Sequence, residues 1–526
     1  MNLIDKTVAY FNPAKALKRE RDRQLLTVMN RGYGNHGASS RKSSMAGWVT
    51  QNGSVIDDIE KNIPKLRERS RDLFMGAPLA TGALKTMRTN VIGSGLRLNA
   101  QVDADYLGMT SEEADIWETK VEREFNLWAE SIHCDMQRMN NFYQLQGLAF
   151  LSWLMSGDVF CLLPIKPRVG MPYDLRIQLI ESDRVNSPDV LDLSHGNPKV
   201  LNGVEIDGDG EVIAYHISER HPGAYALEQN KRVRIEKFGR NTGRPNILHL
   251  IEMERPEQRR GVPLLAPVIE TMKQLARYSD AELMAAVVNA LYSVFITSEA
   301  DSGDGSDPFS SIPEEDEVDS DNDTTIELGP GTVHFLGENE KIQEATPGRP
   351  NANFDSFVTS MCRQIGAALE IPYEVLLKNF TSSYSASRGA LLEAWKMFKM
   401  RRQWMAEGFC QPIYEEFLSE AIAKGRIDAP GYFIDPMIRK AYSGAEWNGP
   451  SQGQLDPLKE VNAAEKRVEN GFTTRSAETV ALGGGDWFRN HSLRVREEQA
   501  RREAGMASGV PDETNLPDST DEDEDA

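Results

Sequence analysis

Apolar residues return every three or four positions along much of this chain, so helix dominates the expected structure. From Ile56 to Thr89 the runs IEKNIPKLRERSRDLF and ATGALKTMRTNVIG keep this period. Residues 111–156 repeat it, with Trp117, Val121, Phe125 and Trp128 on one stripe and Trp153 near the end. The pattern then shortens. DVFCLLPI, LRIQLIES and EVIAYHIS are brief, apolar and β-branched, which predicts strands, and GVEIDGDGEVIAYHI predicts a hairpin across an Asp-Gly-Asp-Gly turn.

Three long helical patterns follow. The first covers residues 259–296, with prolines in its opening turns where they are tolerated. At about 1.5 Å per residue it would reach about 50 Å. It runs into SEADSGDGSDPFSSIPEEDEVDSDNDTTIE, whose Pro, Gly, Ser and acidic content predicts loop. DSDND resembles the start of a calcium loop, but Thr324 stands where the turn glycine belongs and Pro330 where the bidentate glutamate belongs. After a short strand pattern, TVHFLG, the second helix is expected over NANFDSFVTSMCRQIGAALEIPYEVLL. The third should begin near Arg388, kink near Pro412 and stop at Lys424-Gly425. Residues 456–504 read as charged helices. Between the second and third helices lies FTSSYSASRGALLEAW, unusually rich in hydroxyls. The pattern predicts that Ser385 or Ser387 caps the helix that follows, which leaves several hydroxyls unexplained.

Composition narrows the function. With 526 residues the chain exceeds one hydrophobic core. Its net charge of −21 argues against a protein that simply coats nucleic acid. The charge is uneven: residues 6–42 are basic, and the chain ends in DSTDEDEDA. Four cysteines without a CxxC predict neither a disulfide nor a zinc site and fit a reducing compartment. There is no N-terminal apolar run for a signal peptide, and the most apolar stretch, Ala285–Ile296, is too short to span a membrane.

Enzyme motifs are weak. No glycine is followed by lysine, so a Walker A loop is absent. The single GxSxG, Gly449–Gly453, lies among Trp447, Asn448 and Pro450 and reads as a turn rather than a nucleophile elbow. The eight histidines form no HExxH or similarly spaced metal pair. These features predict no catalytic residue, no metal and no cofactor. The rival readings are a serine hydrolase using the GPSQG turn and a monomeric helical adaptor that binds protein partners.

Seven motifs in order, from about Gly32 to Gly505, give the chain a family resemblance. They are YGNHGASS, LRERSRDLF with TNVIGSGLRL, RRGVPLLAPVIETMKQLARYSDAEL, PGRPNANFDSFVTSMCRQIGAALEIPYEVL, SSYSASRGALLEAW and WNGPSQGQLDPLKEVNAAEKRVENGFTTR. In this order they resemble the lambda-type portal proteins of tailed double-stranded DNA phages. The resemblance implies an α+β, mainly α, portal fold: a flexible arm (1–49), wing (50–258), first stem helix (259–298), clip (299–348), second stem helix (349–376), tunnel loop (377–387), long wing helix and turn (388–445), helical crown (446–505) and acidic tail (506–526).

It further implies a homo-oligomeric ring of about twelve copies at one capsid vertex. Double-stranded DNA would pass through without sequence specificity, driven by a separate terminase. Partners would be the terminase large subunit, the head–tail adaptor, and the major capsid protein and scaffold, with assembly in the host cytoplasm and no membrane. In the tunnel loop, Lys378, Asn379, Thr381, Ser382, Ser383 and Tyr384 would face DNA. The stem acids Glu270, Asp280 and Glu282 would line the channel, unless they form a solvated outer face. Glu314, Glu315, Asp316, Glu317, Asp319, Asp321 and Asp323 would form an acidic insert in the clip.

Overall fold

A computed structural model describes residues 52–187, 199–224, 231–290, 294–298, 340–344, 353–380, 383–453, 456–483, 485 and 487–506, and isolated positions of the arm between 10 and 50. The chain divides into two compact units, Met1–Asp58 and Ile59–Ala526. In the first, the described arm residues are short exposed helical turns, one of them Ser43–Met45. The second holds everything that follows.

Two helices open it, α1 (Ile63–Gly76) and α2 (Pro78–Val91), each with a proline in its first turn and joined through Ala77 alone. Strand β1 (Arg97–Ala100) follows, then α3 (Ser111–Ala129) and α4 (Phe142–Ser156). Both α3 and α4 start in capping boxes, Thr110 with Glu113 and Asn141 with Gln144, so the side chain of each pair satisfies the other's backbone N–H. The expected stripe of α3 is buried: Trp117, Val121, Phe125 and Trp128 all face the core. Phe125 meets Phe142, Tyr414 and Phe417 edge-on with centroids 5.2–5.8 Å apart, so α3 and α4 share one core with a helix much later in the chain.

The β-rich part comprises β2 (Asp158–Leu162), β3 (Gln178–Ile180), β4 (Lys199–Leu201), β5 (Val204–Ile206), β6 (Val212–Ser218), β7 (Arg232–Glu236) and β8 (Ile247–Ile251). They form two antiparallel sheets, ordered β3-β2-β8 and β4-β5-β6-β7. The expected hairpin is β5–β6, with Val204 opposite Tyr215. Asp207 shapes its turn: one carboxylate oxygen accepts from the N–H of Asp209 (3.0 Å) and of Glu211 (2.8 Å).

The first long helix is shorter than its pattern. Its opening prolines permit only a 3₁₀ turn at Ala266–Val268, and α5 proper runs Ile269–Ala290. The chain then changes to strand. β9 (Val294–Ser298), aromatic and β-branched, pairs antiparallel with β10 (Glu340–Glu344), where helix was expected to Ile296. TVHFLG lies outside the described residues.

The second long helix divides into α6 (Phe354–Ala368) and α7 (Tyr373–Leu377). The break is built from Glu370 at φ 58°, Pro372, and Gly366, on which a Cβ would lie 2.5 Å from the Ile371 carbonyl. The third is α8 (Tyr384–Met405), a π turn at Ala406–Cys410 and α9 (Gln411–Ala423), so the irregularity sits just before Pro412. It ends at Lys424-Gly425 with Gly425 at φ 69°.

A short helix, α10 (Pro436–Tyr442), leads to β11 (Ala445–Asn448), which pairs antiparallel with β1. The other edge of β1 is closed by α3: Glu122 accepts from Ala100 N (3.0 Å) and Glu118 from Val102 N (2.8 Å). Three helices end the described chain: α11 (Pro457–Glu469), α12 (Arg475–Gly483) and α13 (Trp487–Glu503).

One buried ionic centre joins the helical layer, both sheets and the root of α5. Asp158, first residue of β2, is fully buried. Arg67 of α1 donates to its Oδ1 at 2.8 Å and Arg260, just before α5, to its Oδ2 at 2.7 Å. The Gly261 N–H adds 3.0 Å to Oδ2. Arg260 directs its remaining donors to the carbonyls of Val185, Asn202 and Ser182 and to Asp158 Oδ1. Gly157 and Gly261 face each other so closely that a Cβ on either would fall within 2.4 Å of the other's backbone. Burial pushes the Asp158 carboxyl up, but Arg260 and then Arg67 outweigh it and hold it well below the usual carboxylate range. His249, 3.4 Å from Asp158 Oδ2, is lowered by burial despite that carboxylate and stays neutral.

Removing the Asp158 charge strands two buried guanidinium groups. Asp158→Asn should lower the unfolding free energy by about 3–5 kcal/mol, read by urea denaturation. The pH dependence has two windows. His249 has a lower pKa folded than unfolded, so its neutral state stabilises fully above about pH 6.5 and less as pH falls below that value. Asp158 contributes above about pH 3.9, and its contribution is lost below. Between pH 7.5 and 5.5, His249→Gln should therefore lose less stability than wild type, by up to about 1.4 kcal/mol per pH unit.

Candidate nucleic-acid interface

The hydroxyl-rich stretch bridges α7 and α8. Helix α7 closes on Lys378, whose backbone is left-handed (φ 55°, ψ 35°) and whose N–H bonds back to the Glu374 carbonyl. Asn379 N–H bonds to the same carbonyl at 3.0 Å. Lys378, Asn379 and Phe380 are exposed, and Thr381 and Ser382 lie outside the described residues. The chain re-enters helix at Tyr384, whose side chain is likewise not described.

The cap is Ser383, not Ser385 or Ser387. Ser383 has φ −57° and ψ 153°, and its Oγ accepts from the Ala386 N–H at 3.4 Å. An N-cap must sit just outside helical backbone geometry, and Ser385 and Ser387 are already inside the first turn. Ser385 is exposed and Ser387 is buried. The helix starts four residues before Arg388 because no breaker stands between Ser383 and Gly389.

The stem acids divide. Glu270 and Asp280 are exposed on α5, and Glu270 accepts from Gln274 Nε2 at 3.1 Å. Glu282 instead lies on the buried stripe with Met272 and Leu275, so it is not among the solvent-facing acids expected either of a channel wall or of an outer face. The acidic insert from Glu314 to Asp323 falls outside the described residues.

The GPSQG turn is not a nucleophile elbow. It follows β11, but the next helix begins only at Pro457. Its Pro450 carbonyl accepts from Arg402 Nη2 at 2.8 Å. Among the described residues, Glu181, Asp183 and His221 form the one group whose ligand atoms lie within 4.8 Å of each other. Arg71 pairs with both carboxylates. His221 Nδ1 accepts from the Gly223 N–H, which leaves the proton on Nε2, the atom that faces Asp183. This is an ion-pair network rather than an open ligand set.

Sequence reasoning missed the residues that hold the junction. Arg402 of α8 donates to the carbonyls of Asn90, Val91 and Pro450, tying α8 to the end of α2, and burial lowers it to about 10. Its neighbour Arg401 reaches Glu370 at 3.3 Å, beside the break before α7, and lies over the Trp153 ring. The signal available was an Arg-Arg pair inside an otherwise apolar helical stripe.

Comparison with known proteins is decisive on family. The profile of the phage portal proteins of the lambda family matches residues 41–402. Portal protein B of Escherichia phage lambda is 25% identical over 501 residues, covering 91% of this chain and 92% of its own length. The portal protein of Escherichia phage N15 is 25% identical over 481 residues, covering 88% and 89%. A chain from the neck of a native gene transfer agent particle overlays loosely, at a TM-score of 0.40 and 12% identity, over 81% of this chain and 94% of that one. The protein belongs to the lambda family of phage portal proteins, structural rather than enzymatic components of the virion.

Proposed function

We propose that this chain forms a ring of about twelve copies at one capsid vertex, through which double-stranded DNA is packaged and later ejected. The observation that carries this reading is family membership across residues 41–402, with portal relatives aligned over nearly their whole length. The terminase large subunit would dock on the ring during packaging and a head–tail adaptor afterwards, while the major capsid protein and scaffold seat it during assembly in the host cytoplasm. No described helix is long and apolar enough to cross a membrane.

The α7–α8 loop is the channel lip in this reading. Support comes from its chemistry and its anchorage. Lys378 and Asn379 are exposed on a turn held from both sides, by the Glu374 carbonyl and by the Ser383 cap. Neutral hydroxyls contact a moving duplex without adding the salt-dependent phosphate affinity that each further cation would bring. The exposed acids Glu270 and Asp280, repeated around a ring, would repel phosphates and keep the duplex centred.

Two measurements test this. Negative-stain images should show closed rings, and monomers under every assembly condition would end the portal reading. Deleting Asn379–Ser382 while keeping the Ser383 cap should leave rings intact and reduce packaged or retained DNA. Full packaging and retention by that variant would reduce the loop to a linker.

A further inference from the structure

The Lys378 turn forms one wall of an open groove of about 600 Å³, and α2 with the end of α1 forms the rest. None of its lining residues is acidic. This absence stands against 80 aspartates and glutamates to 59 lysines and arginines in the whole chain. It arises because two acid-free stretches fold onto each other. Residues 73–102 contain no Asp or Glu, and neither do residues 375–392. The four acids that bracket them turn elsewhere: Asp72 is 3.9 Å from Lys273, Asp103 accepts from the Tyr106 N–H, and Glu374 and Glu393 line a separate groove.

The groove presents two ammonium groups, Lys85 and Lys378, over a neutral floor of Thr81, Thr86, Thr89 and Asn90. The floor offers few directional donors. Thr89 Oγ1 donates to the Lys85 carbonyl at 2.9 Å, Thr81 Oγ1 to the Phe74 carbonyl, and Asn90 Nδ2 to the Thr86 carbonyl at 2.9 Å. What remains is point charge on an uncharged surface, a chemistry that attracts a polyanion without fixing its position.

We propose that this groove is a second contact surface for the DNA phosphate backbone, continuous with the channel lip through Lys378. The proposal rests on the portal reading above. Two lysines on a wall without carboxylates complement a continuous phosphate backbone, and a neighbouring copy of the chain is the alternative occupant that the test separates.

Site-directed cross-linking in packaged particles tests it. Thr89 is exposed, and all four native cysteines are buried, so a thiol-directed photo-crosslinker can be placed on Thr89→Cys alone. DNA adducts are expected from Thr89→Cys, with few from Val169→Cys, which is 99% exposed and does not line the groove. Protein–protein dimers without DNA adducts would make the groove a seat for a neighbouring copy and overturn the proposal. So would an absence of adducts, or equal DNA adducts from both positions.

A second readout needs no packaging. Lys85→Gln with Lys378→Gln should make duplex binding by purified rings less salt-dependent, the log–log slope falling by about 0.9 for each phosphate that is no longer neutralised. An unchanged slope would also overturn the proposal. Rings in images of the same preparations leave the portal reading standing whichever result is obtained.

Discussion

The structure depends on one buried carboxylate. Asp158 stands at the meeting point of α1, β2, the four-stranded sheet and the root of α5, and its two oxygens are shared by Arg67, Arg260 and the Gly261 N–H. A well-packed apolar cluster of similar volume could be as stable, since desolvating three charges is costly. It could not be as directional. The Arg260 fork reaches three carbonyls on two segments as well as the carboxylate, so any shift of the α5 root breaks several hydrogen bonds together. The Gly157–Gly261 approach makes the same demand sterically, because neither position tolerates a side chain. The root of α5 is thereby fixed in angle as well as in place.

Periodicity made most of the helices legible, along with the α3 stripe and the β5–β6 hairpin, because each is decided by local pattern. It failed where a local pattern met a non-local partner. The stretch after Ala290 keeps a helical spacing of apolar residues, yet Val294–Ser298 pairs with Glu340–Glu344, far along the chain. Glu282 could not be placed either, since nothing local says that one acid of α5 turns inward while Asp280 turns out. The Asp158 centre was invisible for a related reason. Its members come from positions 67, 158, 249 and 260, and only folding brings them within reach. The motifs quoted for the family resemblance did contain Arg67, Arg260 and Gly261, so the resemblance pointed at the centre before its chemistry could be known.

The loop between α7 and α8 shows the limit at finer scale. Five serines and threonines lie within Thr381–Ser387, and any serine there could cap a helix. The choice of Ser383 is made by backbone geometry, set in turn by where Lys378 leaves α7 and where Arg401 and Arg402 clamp α8. Residue type nominates a cap, and the anchored ends of the loop choose among the nominees.

The two kinds of cation in this chain divide the work. Arginines make the fixed contacts: Arg67 and Arg260 on buried Asp158, Arg402 on three backbone carbonyls, and the half-exposed Arg426 on both oxygens of Glu124. Their rigid fork suits contacts that must not slip. The groove beside the α7–α8 turn carries lysines instead, and Arg88, on the same helix as Lys85, does not line it. A lysine ammonium is a strongly hydrated point charge on a flexible stem, and it can pass one phosphate and meet the next without breaking a bidentate pair. If this surface touches a moving duplex along its length, as proposed, such charges serve it better, and the same duplex held by arginine forks would be gripped rather than guided.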